Sequence, residues 1–186
     1  VQAIANQTFR NAADLDAARD AFSARLILLG RAHDILTRAS WTEAPIADVV
    51  DGALAVHQGG AGTRIRVSGP GVLLAAKPAL ALALALHELA TNAAKYGALS
   101  TAEGGVDLRW HVVREAAEPR FCLTWSETGG PPILAPPVRR GFGSRLIERS
   151  FSVEVGCEVR LTFAPTGLIC RLEAPLAAMQ EAPSAA

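Results

Sequence analysis

The chain has 186 residues, half of them hydrophobic and 19% charged, which suits one good-sized core or a domain with a smaller appendage and excludes a disordered polymer. Eighteen Lys and Arg balance eighteen Asp and Glu, so the net positive charge typical of nucleic-acid and anionic-membrane binders is missing. No apolar run reaches the roughly 18 residues of a membrane helix, because Lys77 and His87 bracket the longest one. Cys122, Cys157 and Cys170 are odd in number and far apart, without metal-type spacing, and are expected to be reduced core residues of a cytoplasmic protein. A start at Val1 without Met is expected of a fragment with room upstream for a sensor or anchor.

Residues 1–19 and 21–40 read as two consecutive helices, with Phe22, Leu26, Leu29 and Leu36 among the apolar positions of the second. With no strand between them they predict an antiparallel hairpin that needs a partner, either a second copy or the following domain. His33, on the second helix, is read as a packing residue, since a lone helical histidine is more often packed than reactive. Trp41 reads equally as an anchor between hairpin and next domain and as a plain core tryptophan. A helix over 45–57, a flexible turn at 59–62 and strands over 63–67 and 72–75 follow. His57 has no partner in sequence and is expected at the surface.

The stretch Pro78-Ala79-Leu80-Ala81-Leu82-Ala83-Leu84-Ala85-Leu86 alternates with the period of a half-buried strand. Composition predicts a helix instead: Ala and Leu are the strongest helix formers, neither is β-branched, Pro78 suits the first turn and Gly97 the position after the last. Leu82, Leu86, Leu89 and Ala93 then form the buried stripe. If the helix runs to about Tyr96, then Glu88, Asn92 and Lys95 share one face, with His87 and Thr91 on the adjoining stripe. A carboxylate, an amide and an ammonium together suit a magnesium-nucleotide: an oxygen ligand for a hydrated hard cation, a base, and a lysine near phosphates. The same spacing also describes a solvated face with a charge pair, and spacing alone does not choose between them.

Strands over 106–114 and 120–127 are joined by a short connector and predict an antiparallel pair, with Trp110 on the face packed against helices and His111 on the solvated one. The second strand ends in Trp125-Ser126-Glu127-Thr128-Gly129-Gly130-Pro131-Pro132. A carboxylate followed by two glycines can approach a planar ring edge, although in isolation the segment is also an ordinary Gly-Pro turn. After a Pro-rich segment, Arg139-Arg140-Gly141-Phe142-Gly143-Ser144-Arg145 opens a helix. Its amides and dipole favour phosphate oxygens, a weak signal alone, and its arginines are either phosphate contacts or merely solvated. Two closing strands over 158–163 and 167–172 precede an Ala- and Pro-rich segment, 176–186, expected to be a frayed tail.

The stretch from His87 to Ser100 resembles the N box of the HWE family of bacterial sensor histidine kinases, whose ATP-binding domain belongs to the gyrase, Hsp90, histidine kinase and MutL superfamily. The opening His87 and the ending Lys95-Tyr96-Gly97-Ala98-Leu99-Ser100 are particular to that family. Trp125-x-Glu127 resembles its second defining motif, and Gly141-x-Gly143, twelve residues past Gly129, is similar to its G2 box, with an HWE-like short lid and no separate F box. Val1-Gln2-Ala3-Ile4-Ala5-Asn6-Gln7-Thr8 resembles the end of the family's H-box helix. The phosphorylated histidine of that helix would lie upstream of Val1, so the chain holds no phosphoacceptor. His33 resembles a second-helix histidine of the family that is not the acceptor.

The resemblance covers nearly the whole chain and implies an α+β fold. A truncated helical hairpin (1–43) would precede an α/β sandwich (44–175) of Bergerat type, with helices on one face of a mixed, mostly antiparallel sheet. It implies ATP and Mg2+ as cofactors, with Asn92 holding the metal, Glu88 acting as or orienting a general base, and Lys95 touching phosphate. Glu127 would accept the adenine amino group, as an aspartate does elsewhere in the superfamily. His87, Tyr96, Gly129, Gly130, Gly141, Phe142, Gly143 and Ser144 complete the implied ATP-binding set. The implied reaction moves the γ-phosphoryl to a hairpin histidine and then to an aspartate of a response-regulator receiver domain, the implied partner, and the hairpin is a candidate homodimer contact. No nucleic-acid or membrane contact by this chain is expected. Two rivals are a nucleotide-independent phosphotransfer scaffold, which the intact N box argues against, and a superfamily ATP hydrolase, which the hairpin and short lid argue against.

Overall fold

The computed structural model describes residues 43–57, 64–114, 118–134 and 157–180, with Phe22 and Gly30 as helical positions. The rest of the expected hairpin, including His33 and Trp41, lies outside the described residues, as do Arg139, Arg140, Gly141, Phe142, Gly143, Ser144 and Arg145.

Strand β1 (Glu43–Pro45) leads into helix α1 (Ile46–Leu54) and a 3-10 turn (Ala55–His57). In α1, Ile46, Val49, Val50, Ala53 and Leu54 are buried, the i, i+3, i+4, i+7, i+8 stripe of a helix with one face on a core. Strand β2 (Ile65–Ser68), strand β3 (Leu73–Ala75) and the 20-residue helix α2 (Ala76–Lys95) follow. Next come a second 3-10 turn (Ala98–Ser100), β4 (Gly105–Val113), β5 (Arg120–Thr128), β6 (Glu158–Ala164), β7 (Gly167–Pro175) and helix α3 (Leu176–Gln180).

The main sheet has five strands in the order β2-β4-β5-β7-β6. Only β2 and β4 pair in parallel, Ile65 opposite Val106, and the other neighbours are antiparallel. A parallel pair needs a long crossover, and α2 lies within it. β3 pairs instead with β1 in a separate two-stranded ribbon. This is the expected mixed, mostly antiparallel sheet.

Along β4 and β5 the pleat alternates, burying Val106, Leu108 and Trp110 and then Phe121, Leu123, Trp125 and Glu127. These apolar side chains share one core with Leu82, Leu86, Leu89 and Ala93 of α2 and with the stripe of α1. The buried surface of α2 is wider than a stripe, for every residue from 81 to 90 is buried. The alternating alanines suit such a helix, enclosed on several sides by close neighbours. His111 is exposed on the opposite sheet face. There Asp107 is bonded by Arg109 at 2.7 and 2.5 Å, and this guanidinium holds its carboxyl below the usual range.

Residues 176–180 are not the expected tail. They form α3, with Leu176 and Met179 buried in the core and the Leu176 amide donating to the Pro119 carbonyl at 2.8 Å. Two apolar residues three apart close the open end of the core, which the Ala-rich composition concealed.

Candidate nucleotide-binding site

The C-terminal half of α2 grades from core to solvent. His87 and Glu88 are buried, Thr91 and Asn92 half-buried, and Lys95 and Tyr96 exposed. Glu88 is therefore not on a solvated face; it lies at the dry end of a row whose wet end is Lys95. Deep carboxylate, middle amide and outer ammonium follow from the i, i+4, i+7 spacing on a helix that leaves the core at its end.

His57 is not a surface residue. It is half-buried, its ring centroid lies 5.5 Å from that of His87 at a tilt of 52°, and its Nε2 stands 3.4 Å from Thr91 Oγ1. Burial, and then the proximity of His87, push its pKa below the ordinary histidine value.

Beyond Lys95 the chain leaves the helix by bonds to its own last turn: the Tyr96 and Gly97 amides donate to the Asn92 carbonyl at 2.8 and 3.1 Å. The sequence expectation rested on glycine after the last helical residue, a position often left-handed, but Gly97 has φ −108°. The glycine answers a close approach instead. A Cβ there would overlap Glu127 Oε2 and stand 3.0 Å from the Ala93 Cα.

Glu127 ends the buried row of β5 and is 4% exposed. Its Oε2 accepts the Ala98 amide at 3.0 Å and its Oε1 accepts the Trp125 indole N–H at 3.1 Å. Burial raises its pKa, and the two donors partly offset that. A carboxylate has about four acceptor positions, so each oxygen keeps capacity for a further donor. The end of the N-box stretch and the Trp-x-Glu motif thus meet at one carboxylate.

Gly129 takes φ +74° as expected of a glycine turn. The close approaches it and Gly130 make are to backbone: to Glu103 and Gly104, and to Gly97 and Ala98. Two residues missed in the sequence reading hold this junction. Thr101 Oγ1 donates to the Gly129 carbonyl at 2.8 Å or the Ala98 carbonyl at 3.1 Å, and accepts the Gly104 amide at 3.1 Å. The Arg64 guanidinium spans the same loop, 2.5 Å from the Thr101 carbonyl and 3.4 Å from that of Leu99. The only sequence signal for either was the cluster of glycines at 97, 104, 129 and 130, each marking close backbone contact.

Among the described residues no group of three or more His, Cys, Asp or Glu gathers to hold a metal. A hydrated magnesium ion asks for only one or two protein oxygens, and Asn92, half-buried one helical turn after the buried Glu88, has one amide oxygen of that kind. No described helix is long and apolar enough to cross a membrane.

Comparison with known proteins finds histidine kinases. A family model described as HWE histidine kinase matches residues 1–71. The chain is 44% identical over 178 residues to a blue-light-activated histidine kinase of Brucella anthropi, covering 96% of this chain and 36% of the relative. The counterpart in Brucella ovis is 40% identical over 176 residues, 95% of this chain and 36% of the relative. The chain thus spans about a third of the length of the curated relatives it matches. The solved histidine kinase domain of the Erythrobacter litoralis blue-light-activated histidine kinase superposes with a TM-score of 0.65 at 22% identity, over 84% of this chain and 75% of that one, and so shares the fold. The chain is thus similar to HWE histidine kinases by the family model over residues 1–71 and to blue-light-activated histidine kinases over nearly its whole length.

Proposed function

We propose that the chain is the ATP-binding catalytic module of a two-component sensor histidine kinase, working in the cytoplasm, that transfers the ATP γ-phosphoryl to a histidine upstream of Val1 and thence to a receiver-domain aspartate. The observation that carries this is the junction at Glu127, where the end of the N box and the end of β5 are tied to one buried carboxylate. What supports the reading is that this buried carboxylate is bonded to the segment that directly follows the helix carrying Glu88, Asn92 and Lys95 in a graded row.

In this reading Glu127 accepts the adenine amino group with the capacity its two internal donors leave free. Tyr96, exposed at the helix end, packs on the base or the lid, and His87 supports the helix from its buried side. Gly129 and Gly130 keep side chains out of the loop, and Gly141, Phe142, Gly143 and Ser144 supply backbone amides to the phosphates. Lys95 contacts a phosphate oxygen, and Asn92 holds magnesium through its amide oxygen. Magnesium, when bound, neutralises charge on the β- and γ-phosphate oxygens. Glu88 takes or orients the proton of the attacking imidazole from its buried position, so most of the rate comes from positioning and charge. Such a kinase takes a response-regulator receiver domain as partner and pairs with a second copy through the hairpin.

Isothermal titration with Mg-ATP tests the site: Asn92→Ala abolishes magnesium-dependent binding while the melting temperature stays close to wild type. An unchanged affinity contradicts the assignment.

A further inference from the structure

We propose that Trp125 is a positioning residue for the nucleotide base, and that the fit of the Glu127 carboxylate over Gly97 is a determinant of base selectivity. The proposal rests on the reading of Glu127 as the base acceptor and adds what holds it there.

Trp125 and Glu127 are two apart on β5, so both side chains stand on the inner face of the sheet. The Trp125 side chain is fully buried, and its N–H is fixed on Glu127 Oε1 at 3.1 Å. The Ala98 amide fixes the other oxygen at 3.0 Å. One donor on each oxygen orients the carboxylate plane and removes the rotamer freedom that a glutamate has beyond an aspartate. The reach of that longer side chain is accommodated at Gly97, where a Cβ would overlap Oε2. Glutamate and glycine are complementary in size: neither a bulkier residue 97 nor a shorter acid leaves the carboxylate in the same place with the same two donors.

An amino group donates to such a carboxylate, whereas the oxo group of a hypoxanthine or guanine presents an acceptor and is repelled. Discrimination between the two requires an acceptor that does not rotate away. Loss of the indole N–H leaves Oε1 without its internal donor in a buried setting, and the carboxylate is then free to turn.

The test compares, by calorimetric titration, binding of Mg-ATP and of magnesium inosine triphosphate, whose bases carry amino against oxo at one ring position and an acceptor against an N–H at the adjoining nitrogen. Wild type prefers ATP. Trp125→Phe keeps a buried ring, deletes the N–H and narrows the preference about tenfold, as expected for one charge-assisted hydrogen bond. A wild type that binds both nucleotides equally defeats the reading of Glu127 as base acceptor. A wild type that discriminates, with Trp125→Phe discriminating equally well, overturns the positioning role alone, whatever its melting temperature. Gly97→Ala weakens ATP binding or folding, and adding Glu127→Asp to it restores a substantial part, because the shorter acid withdraws from the new methyl. A double variant no better than Gly97→Ala overturns the size-fit argument.

Discussion

The rings of His57 and His87 pack 5.5 Å apart, centre to centre, across the seam between the 3-10 turn after α1 and the middle of α2. Thirty residues separate them in sequence, and Thr91 Oγ1 of α2 also stands 3.4 Å from the His57 Nε2. Burial and the neighbouring His87 lower the folded-state pKa of His57 below 6.5. The unfolded chain therefore binds the proton more readily, and stability falls as pH drops below that ordinary value and recovers as pH rises toward it. Urea midpoints between pH 7.5 and pH 5 decline less steeply for His57→Gln than for wild type; parallel curves contradict this role.

The Thr101 hydroxyl donates its one proton to the Gly129 or the Ala98 carbonyl and accepts the Gly104 amide. Thr101→Val keeps the shape and deletes the hydroxyl, and unfolding free energy falls by about 1–3 kcal/mol because partly buried backbone groups lose their partners. Ser100→Ala removes a single bond to the Gly97 carbonyl at an exposed position and changes stability by at most about 0.5 kcal/mol. Denaturant titrations that rank the two variants the other way contradict the network.

Gly69 lies against the Trp110 indole, which is held by a 2.8 Å bond from its N–H to the Pro70 carbonyl. A methyl at position 69 overlaps the ring, and the ring cannot swing aside without breaking that bond. Gly69→Ala therefore destabilises by about 1–3 kcal/mol. Gly71→Ala, two residues on, meets nothing within 4 Å and is close to neutral. Equal melting temperatures for the two variants would be the contrary result.

Met179 is fully buried on α3. Met179→Ala leaves a cavity beneath the helix and destabilises by about 2–5 kcal/mol, measured by guanidinium unfolding. A change below about 0.5 kcal/mol would return these residues to the tail that composition suggested.

What the sequence showed and what it hid divide along chain separation. α2 was legible against a strand-like alternation because Ala and Leu carry helix propensity whatever their period, and the row from Glu88 to Lys95 followed from helical geometry alone. Strand ends came within a few residues for the same local reason. The bonds that build the candidate site join residues far apart: Glu127 to Ala98 across 29 positions, Thr101 to Gly129 across 28, Arg64 to Thr101 across 37. No periodicity reports such contacts. Gly97 shows how a correct position can carry the wrong reason: glycine was expected there for its left-handed freedom, and the fold uses its missing Cβ. His57 was misplaced because its partner, His87, is reached only through the packing of α1 and its following turn on α2.

The central claim is phosphoryl transfer from ATP to histidine. The most direct measurement is incubation with γ-labelled ATP and magnesium of this chain, of a form extended upstream through the expected acceptor histidine, and of that extended form with Asn92→Ala. The account predicts acid-labile, base-stable label on the extended form alone. No label on any form, or label that survives Asn92→Ala, contradicts it, and acid-labile label on the short chain would show that one of its own four histidines, His33 the first to test, accepts phosphate.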